Sequence, residues 1–138
     1  MKKTLTYCIA ANLLILIAGC SKHDQTPSEV VKEFYNAEAK ADVDAVAATL
    51  APELRSKIPS NKDEAKKGFL ATKGEIDKCG GFKNLTSKYD ISPGAGKVVG
   101  YTLVEHNGSC PTEKQAISLS KFDDKWLIDE FGPSSKVQ

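Results

Sequence analysis

Histidine is scarce in this chain: His23 and His106 are the two among 138 residues. With so few imidazoles a four-ligand zinc site lacks its ligands, so neither a metal nor a cofactor is expected. Charge of one sign is missing too. Nineteen Lys and Arg stand against 18 Asp and Glu, a net charge of +1, and no basic face stands out, so nucleic acid is not an expected partner. No glycine-rich phosphate loop is present, because Gly94-Ala95-Gly96 lies between strand-like segments with no helix start behind it. No serine sits in a nucleophile elbow, and no CxxC pair supports redox work. Internal repeats and low-complexity segments are also absent. The apolar run at 5–17 is interrupted by Thr6 and Asn12 and is shorter than the roughly 20 residues that span a bilayer comfortably.

That run belongs to a pattern of its own. Met1-Lys2-Lys3-Thr4 is a cationic start, the apolar stretch follows, and Ile17-Ala18-Gly19-Cys20 ends it with small residues. These are the parts of an export signal. Ending on cysteine, it resembles a bacterial lipoprotein signal, with an ordinary cleaved signal or an uncleaved anchor as alternatives. The resemblance implies that residues 1–19 are removed, that diacylglycerol joins the Cys20 sulfur, and that an acyl chain such as palmitate joins the new amine. Processing would leave residues 20–138, enough for one domain with one core. Without Lys2 and Lys3 the charge balance is 17 to 18, so attachment to the membrane must come from lipid. One acyl chain holds only marginally, whereas two or three anchor stably. Residues 20–25 read as the lipidated cysteine and a polar tether. Ser21 in second place resembles outer-membrane lipoproteins, which implies a periplasm-facing location in a cell with two membranes.

The remaining cysteines divide by position. Cys8 leaves with the signal, whereas Cys79 and Cys110 stay as a pair in an exported domain, where disulfides persist. Two separately buried thiols are the alternative.

Helical signals fill the first half. Thr26-Pro27-Ser28-Glu29 is a capping pattern, followed by Val30, Phe34, Ala37 and Ala41 at helical spacing, with Val31 and Tyr35 widening the stripe. A second helix is expected after Asp42, with Val43, Val46, Ala47 and Leu50 on its apolar face. An irregular link then runs from Pro52 to Pro59. A third helix follows Asn61, with Ala65, Phe69 and Ile76 on one face, Gly68 and Gly74 in its interior, and Gly80-Gly81 as its stop.

The second half alternates with period two. Strands are expected at 85–91, 98–106, 115–122 and 125–131, with turns at Ser92-Pro93-Gly94, Asn107-Gly108 and Asp123-Asp124. In the last pair Ile117 and Leu119 are expected to face Trp126 and Ile128, and residues 132–138 read as a loose tail. In the first pair, facing Ile91 with Val98, Tyr89 with Gly100 and Leu85 with Val104 keeps one apolar face continuous. Those partners share a number sum of 189, and Cys79 and Cys110 fall on the same sum. The two cysteines therefore leave the hairpin at one open end, close enough for a disulfide.

Three helices and then four strands make an α+β domain over 26–131, with helices on one face of an antiparallel sheet. Pro27-Ser28-Glu29-Val30-Val31-Lys32-Glu33-Phe34-Tyr35, the elbow Ala39-Lys40-Ala41-Asp42-Val43-Asp44-Ala45, Gly80-Gly81-Phe82, and Lys121-Phe122-Asp123-Asp124-Lys125-Trp126-Leu127-Ile128-Asp129 carry a resemblance. They resemble small bacterial lipoproteins with a domain of unknown function in the nuclear-transport-factor-2-like, or cystatin-like, superfamily. Asp124 departs from that pattern, standing where a hairpin glycine is usual. The resemblance implies a sheet curled around the long helix as a cone, often with a pocket at its mouth. Elsewhere in the superfamily such cones host isomerases, dehydratases and hydrolases that bury a carboxylate, histidine or tyrosine.

Candidates for that chemistry are thin in the sequence. His106 stands beside a turn and reads as a solvent-facing loop-end residue. Asp44, Asp63 and Glu64 are explained by helix starts, and Asp129 and Glu130 by an outward strand face. Phe34, Tyr35, Tyr89, Tyr101, Trp126 and Phe131 suit either a pocket lining or an ordinary core. The expected function is a non-enzymatic, lipid-anchored module that binds or scaffolds an envelope protein or small ligand. The alternative is a hydrolase or isomerase using the cone. A pocket with a strongly shifted carboxylate or histidine favours the enzyme, and a dry, filled cone favours binding or scaffolding.

Overall fold

The computed structural model describes residues 24–137; the signal at 1–19, Cys20 and the start of the tether lie outside the described residues. Thr26 opens α1 (Pro27–Ala39) with a full capping box. Its hydroxyl accepts from the Glu29 amide at 3.3 Å, and the Glu29 carboxylate accepts from the Thr26 amide at 2.7 Å. Val30, Val31, Phe34, Tyr35 and Ala37 make the buried face of α1. Asp42 then caps α2 (Val43–Thr49) by accepting from the Ala45 amide at 3.1 Å.

The link expected to be irregular contains a one-turn helix, α3 (Pro52–Arg55), so the described residues form four helices and not three. Pro52 supplies a preset φ at the first helical position, and Arg55 ties the turn back by donating from Nη2 to the Leu50 carbonyl at 2.9 Å. In α4 (Lys62–Lys78), Asn61 accepts from the Asp63 amide at 3.0 Å and the Glu64 amide at 3.4 Å. Gly80 and Gly81, at φ 78° and 76°, end α4 in a Schellman motif, with Gly81 donating to the Ile76 carbonyl and Gly80 to that of Asp77.

Four antiparallel strands follow in spatial order β1-β2-β3-β4: Phe82–Tyr89, Lys97–His106, Thr112–Phe122 and Lys125–Val137. The β1–β2 register pairs Tyr89 with Gly100 and Leu85 with Val104, as the apolar pattern requires. Ile91 falls outside it. β1 stops at Tyr89 and Ile91 is exposed, because the chain already bends towards a Pro93-Gly94 turn closed by the Ala95 amide on the Ser92 carbonyl. Pro at the second and Gly at the third position, with Gly94 at φ 76°, suit a type II turn.

The β3–β4 turn has both Asp123 and Asp124 at positive φ, 48° and 63°, which twists the hairpin as a type I′ turn does. Leu119 pairs with Ile128 as expected, whereas Trp126 pairs with Lys121 and Ile117 with Phe131. Trp126 and Ile128 share one continuous register, and the shift at Ile117 arises at a bulge where Asp129 is the extra residue. A second irregularity lies around Gly132 and Pro133, and beyond it the strand resumes, pairing Gln115 with Ser134 and Thr112 with Val137. The tail expected at 132–138 is therefore strand as far as Val137. Proline is tolerated there because it sits at a bulge on an edge strand.

α1 packs against both β1 and β4, the two edges of the sheet. Strands about 4.8 Å apart would set those edges roughly 14 Å apart in a flat sheet, wider than a helix of about 10 Å. The sheet therefore curls around α1, helped by the bulges, and the result is the expected α+β cone. Ile117, Leu119 and Ile128 line its wall almost without exposure against Val30, Val31, Phe34 and Val46. Each such burial is worth about 1.5–3 kcal/mol. Leu50 forms a parallel bridge to Ile128, and the Ala51 amide donates to the Ile128 carbonyl at 2.8 Å, so part of the β4 edge is covered.

Candidate functional site at the open end of the cone

The cone opens where α1 ends, α4 ends and β1 begins. Tyr35 and Glu38 are one turn apart on α1 and share a face. Thr72, Glu75, Ile76 and Cys79 make a helical stripe at the end of α4. Phe82, Val104, His106 and Glu113 come from the inner face of the sheet. Together these ten residues line a cavity of about 220 Å³.

Its rim is fastened. Cys79 and Cys110 are joined by a disulfide, with their Cα atoms 5.4 Å apart. Asn107 donates from Nδ2 to the carbonyls of Gly80 and Phe82 at 3.1 and 3.2 Å, and its amide donates to the Gly81 carbonyl. Asn107-Gly108 is thus not the tight two-residue turn its sequence implies. The β2–β3 connection runs over residues 107–111, and neither Asn107 nor Gly108 has positive φ. Glycine is required for another reason: a Cβ on Gly108 would lie 2.7 Å from the Cys79 carbonyl oxygen.

Glu38 is the residue that the sequence reading passed over. Burial pushes its carboxyl up to about 7, because the charged form loses water and gains no compensating cation. Tyr35, edge-on to Phe82 with ring centroids 5.6 Å apart, has its phenol pushed up by burial first, then by Glu38, Tyr89 and Glu113. The usable signal was the helical stripe itself: Val31, Phe34, Tyr35 and Glu38 fall at i, i+3, i+4 and i+7. A carboxylate therefore stands on the apolar side of an amphipathic helix.

His106 is also corrected. It is the last residue of β2, half-buried, with its ring 5.7 Å from that of Phe82 and a buried Nδ1 that has no hydrogen-bond partner. Strand parity puts it on the inner face with Val98, Thr102 and Val104.

The aromatic residues considered as a lining do not converge. Phe34 is core, packed edge-on to Tyr35 and 5.1 Å from the Phe131 ring. Tyr89 lies deeper on the inner face, 3.3 Å from the fully buried Thr102 hydroxyl, which also bonds Ser87 at 2.8 Å. Burial raises the Tyr89 phenol despite those hydroxyl contacts. Tyr101 is on the outer face beneath Lys114, whose Nζ lies 4.1 Å from the ring centroid. Gly100 and Thr102 hold the inner positions beside Tyr101, so its ring is directed outwards. Trp126 lines a separate cavity of about 460 Å³ at the other end, with Asp24, Val30, Thr49 and Asp124.

Asp129 faces outwards, as expected, and is held by structure. Ser118 and Ser120 each donate a hydroxyl to it at 2.5 Å, and Lys97 lies 3.2 Å away. Partial burial pushes its pKa up, but the bonds from Ser118 and Ser120 and the Lys97 charge outweigh burial and bring it below the usual carboxylate value. Among the described residues no group of three or more His, Cys, Asp or Glu is placed to hold a metal ion.

What the open end offers chemically is a carboxyl that exchanges its proton near neutrality, an imidazole nitrogen without a partner, and two aromatic walls. No family model matches the chain, and no curated protein matches it. Among solved structures it is similar to a proposed dehydratase of the NTF2-like family from Streptomyces avermitilis. The two share 9% identity over 78% of this chain and 91% of that chain, with a TM-score of 0.47.

Proposed function

We propose that this is a lipid-anchored bacterial envelope protein whose cone binds a small ligand from the aqueous side. Anchoring is supported by Ile17-Ala18-Gly19-Cys20. Binding is supported by one observation above the rest, a cavity with unpaired polar groups at the end of the domain far from the tether. Asp24 and Gln25 border the cavity at the β3–β4 hairpin, and an extended chain from Cys20 to Asp24 reaches at most roughly 14 Å. β3 runs from the open end to that hairpin over 11 residues, roughly 30 Å. A lipid on Cys20 would hold the hairpin end near the bilayer and leave the open end facing away.

A second reading, general acid–base catalysis by an isomerase or hydrolase, is favoured by Glu38. A carboxyl near 7 in an apolar setting has the acid strength that such chemistry uses at neutral pH. Intact-mass analysis of the membrane fraction tests anchoring. A chain beginning at Cys20 with diacylglycerol is expected, Cys20→Ala should leave unprocessed precursor, and an unmodified Cys20 in the wild type would refute it. Pull-down with the lipidated protein from its own envelope then separates the two activities. A ligand recovered unchanged supports binding, and one converted by the wild type but not by Glu38→Gln supports catalysis.

A further inference from the structure

We propose that the open-end cavity is a site for a small organic cation, an ammonium group carried on a short aromatic or aliphatic body. This deepens the binding reading above and rests on it. Charge is the first argument. Glu38 from α1, Glu75 from α4 and Glu113 from β3 line one cavity, and none of its ten residues is lysine or arginine. Glu75 is already answered by Lys78 at 2.6 Å, whereas burial alone accounts for the displaced acidity of Glu38. His106 is the sole lining side chain able to carry positive charge.

Shape and polarity agree. Tyr35 and Phe82 line the cavity together with Glu38 and meet edge to face at 86°, an aromatic lining of the kind that suits a cation. The buried Nδ1 of His106 has no partner within the protein, and a ligand N–H would supply one. An anion would meet two unanswered carboxylates, so a carboxylate or phosphate ligand is disfavoured. About 220 Å³ is below the roughly 300–1,000 Å³ of sites for drug-sized ligands, so the cation is small. Binding also links to pH. The groups facing Glu38 are Tyr35 on its own helix, Glu75 with its partner Lys78 on α4, His106 on β2 and Glu113 on β3. A cation is held best when Glu38 is ionised, and it draws the proton off Glu38 by the same coupling.

The test uses the full processed protein in detergent micelles and three matched probes: benzylammonium, benzyl alcohol and benzoate. Calorimetric titration should show benzylammonium binding at least about tenfold more tightly than benzyl alcohol, the scale of one charge-assisted bond, with no benzoate binding. Benzylammonium stays protonated from pH 6 to 8, and its affinity should rise several-fold over that range. Glu38→Gln should weaken it about tenfold and remove the pH dependence, and Glu113→Gln should weaken it with the dependence kept. His106→Gln should keep the dependence, and Glu53→Gln, on distant α3, should change nothing. Equal affinity for all three probes, an unchanged Glu38→Gln, or pH dependence lost with His106 would overturn the proposal. Preferred binding of benzyl alcohol would overturn the cation and leave the binding reading standing. An unmodified Cys20 would overturn the lipid anchor alone and leave both the binding reading and the cation site standing.

Discussion

The Gly108 amide donates to the Cys79 carbonyl at 2.8 Å, so the two loops that the disulfide joins also meet backbone to backbone. A side chain cannot enter that contact. The rim of the open end is thus defined by a covalent bond, a main-chain bond and the Asn107 side chain together.

Loss of the disulfide should lower stability by about 3–4 kcal/mol in the chain-entropy model, given a closure of 31 residues. Cys79→Ser is expected to lower the melting temperature, and peptide mapping without reductant should find Cys79 linked to Cys110. Two alkylatable thiols in native material would contradict this. Gly108→Ala, with its Cβ 2.7 Å from a carbonyl oxygen, should independently cost about 1–3 kcal/mol.

Glu38→Gln should stabilise the protein above neutral pH and have no effect near pH 4. The folded carboxyl sits at about 7 against its ordinary 4.5, so between those values the native state holds more protons than the unfolded chain. Stability then falls as pH rises. The variant escapes this loss, which amounts to at most about 3 kcal/mol. Melting curves of both proteins from pH 4 to 9 should diverge across 4.5–7 and stay parallel above. Coincident curves would show that Glu38 is not buried as described.

Gly68 and Gly74 lie inside α4, and a Cβ at either would have nothing within 4 Å. Alanine should therefore stabilise the helix by about 0.5–1 kcal/mol at each site. Denaturant titration of the single and double variants should give midpoints that rise additively. A fall at either position would reveal a role for the missing side chain.

Ending the chain after Phe131 should lower stability by at least about 1 kcal/mol, on the scale of losing one native interaction set. It strips β3 of the partners of Thr112, Glu113, Lys114 and Gln115. Gln115 also loses the Gly132 carbonyl that accepts from its Nε2 at 2.6 Å. An unchanged melting temperature would show the segment to be dispensable.

Local chemistry was legible from the chain. Thr26 with Glu29, Asp42 and Asn61 opened helices, and Gly80-Gly81 closed one, because each acts on amides or carbonyls a few residues away. The β1–β2 register was legible as well, since a one-residue slip would move Leu85 and Tyr89 to the wrong face. Much of the open end was not. Glu38 stood on the apolar side of α1, but its acidity depends on α4 and the sheet closing over it. His106 beside a turn read as solvent-facing until strand parity placed it inside.

By itself the sequence determined the α+β order, the cap residues, the first hairpin's register and the pairing proposed for Cys79 and Cys110. These rest on short-range bonds and on a periodicity that burial enforces. Tertiary structure alone decided that β4 passes Pro133, that Asp129 is extruded onto Ser118 and Ser120, and that Tyr101 faces out while Glu38 faces in. The reason is physical. A bulge or a buried charge is settled by neighbours distant in the chain, and their contribution exists only once the sheet has curled around α1.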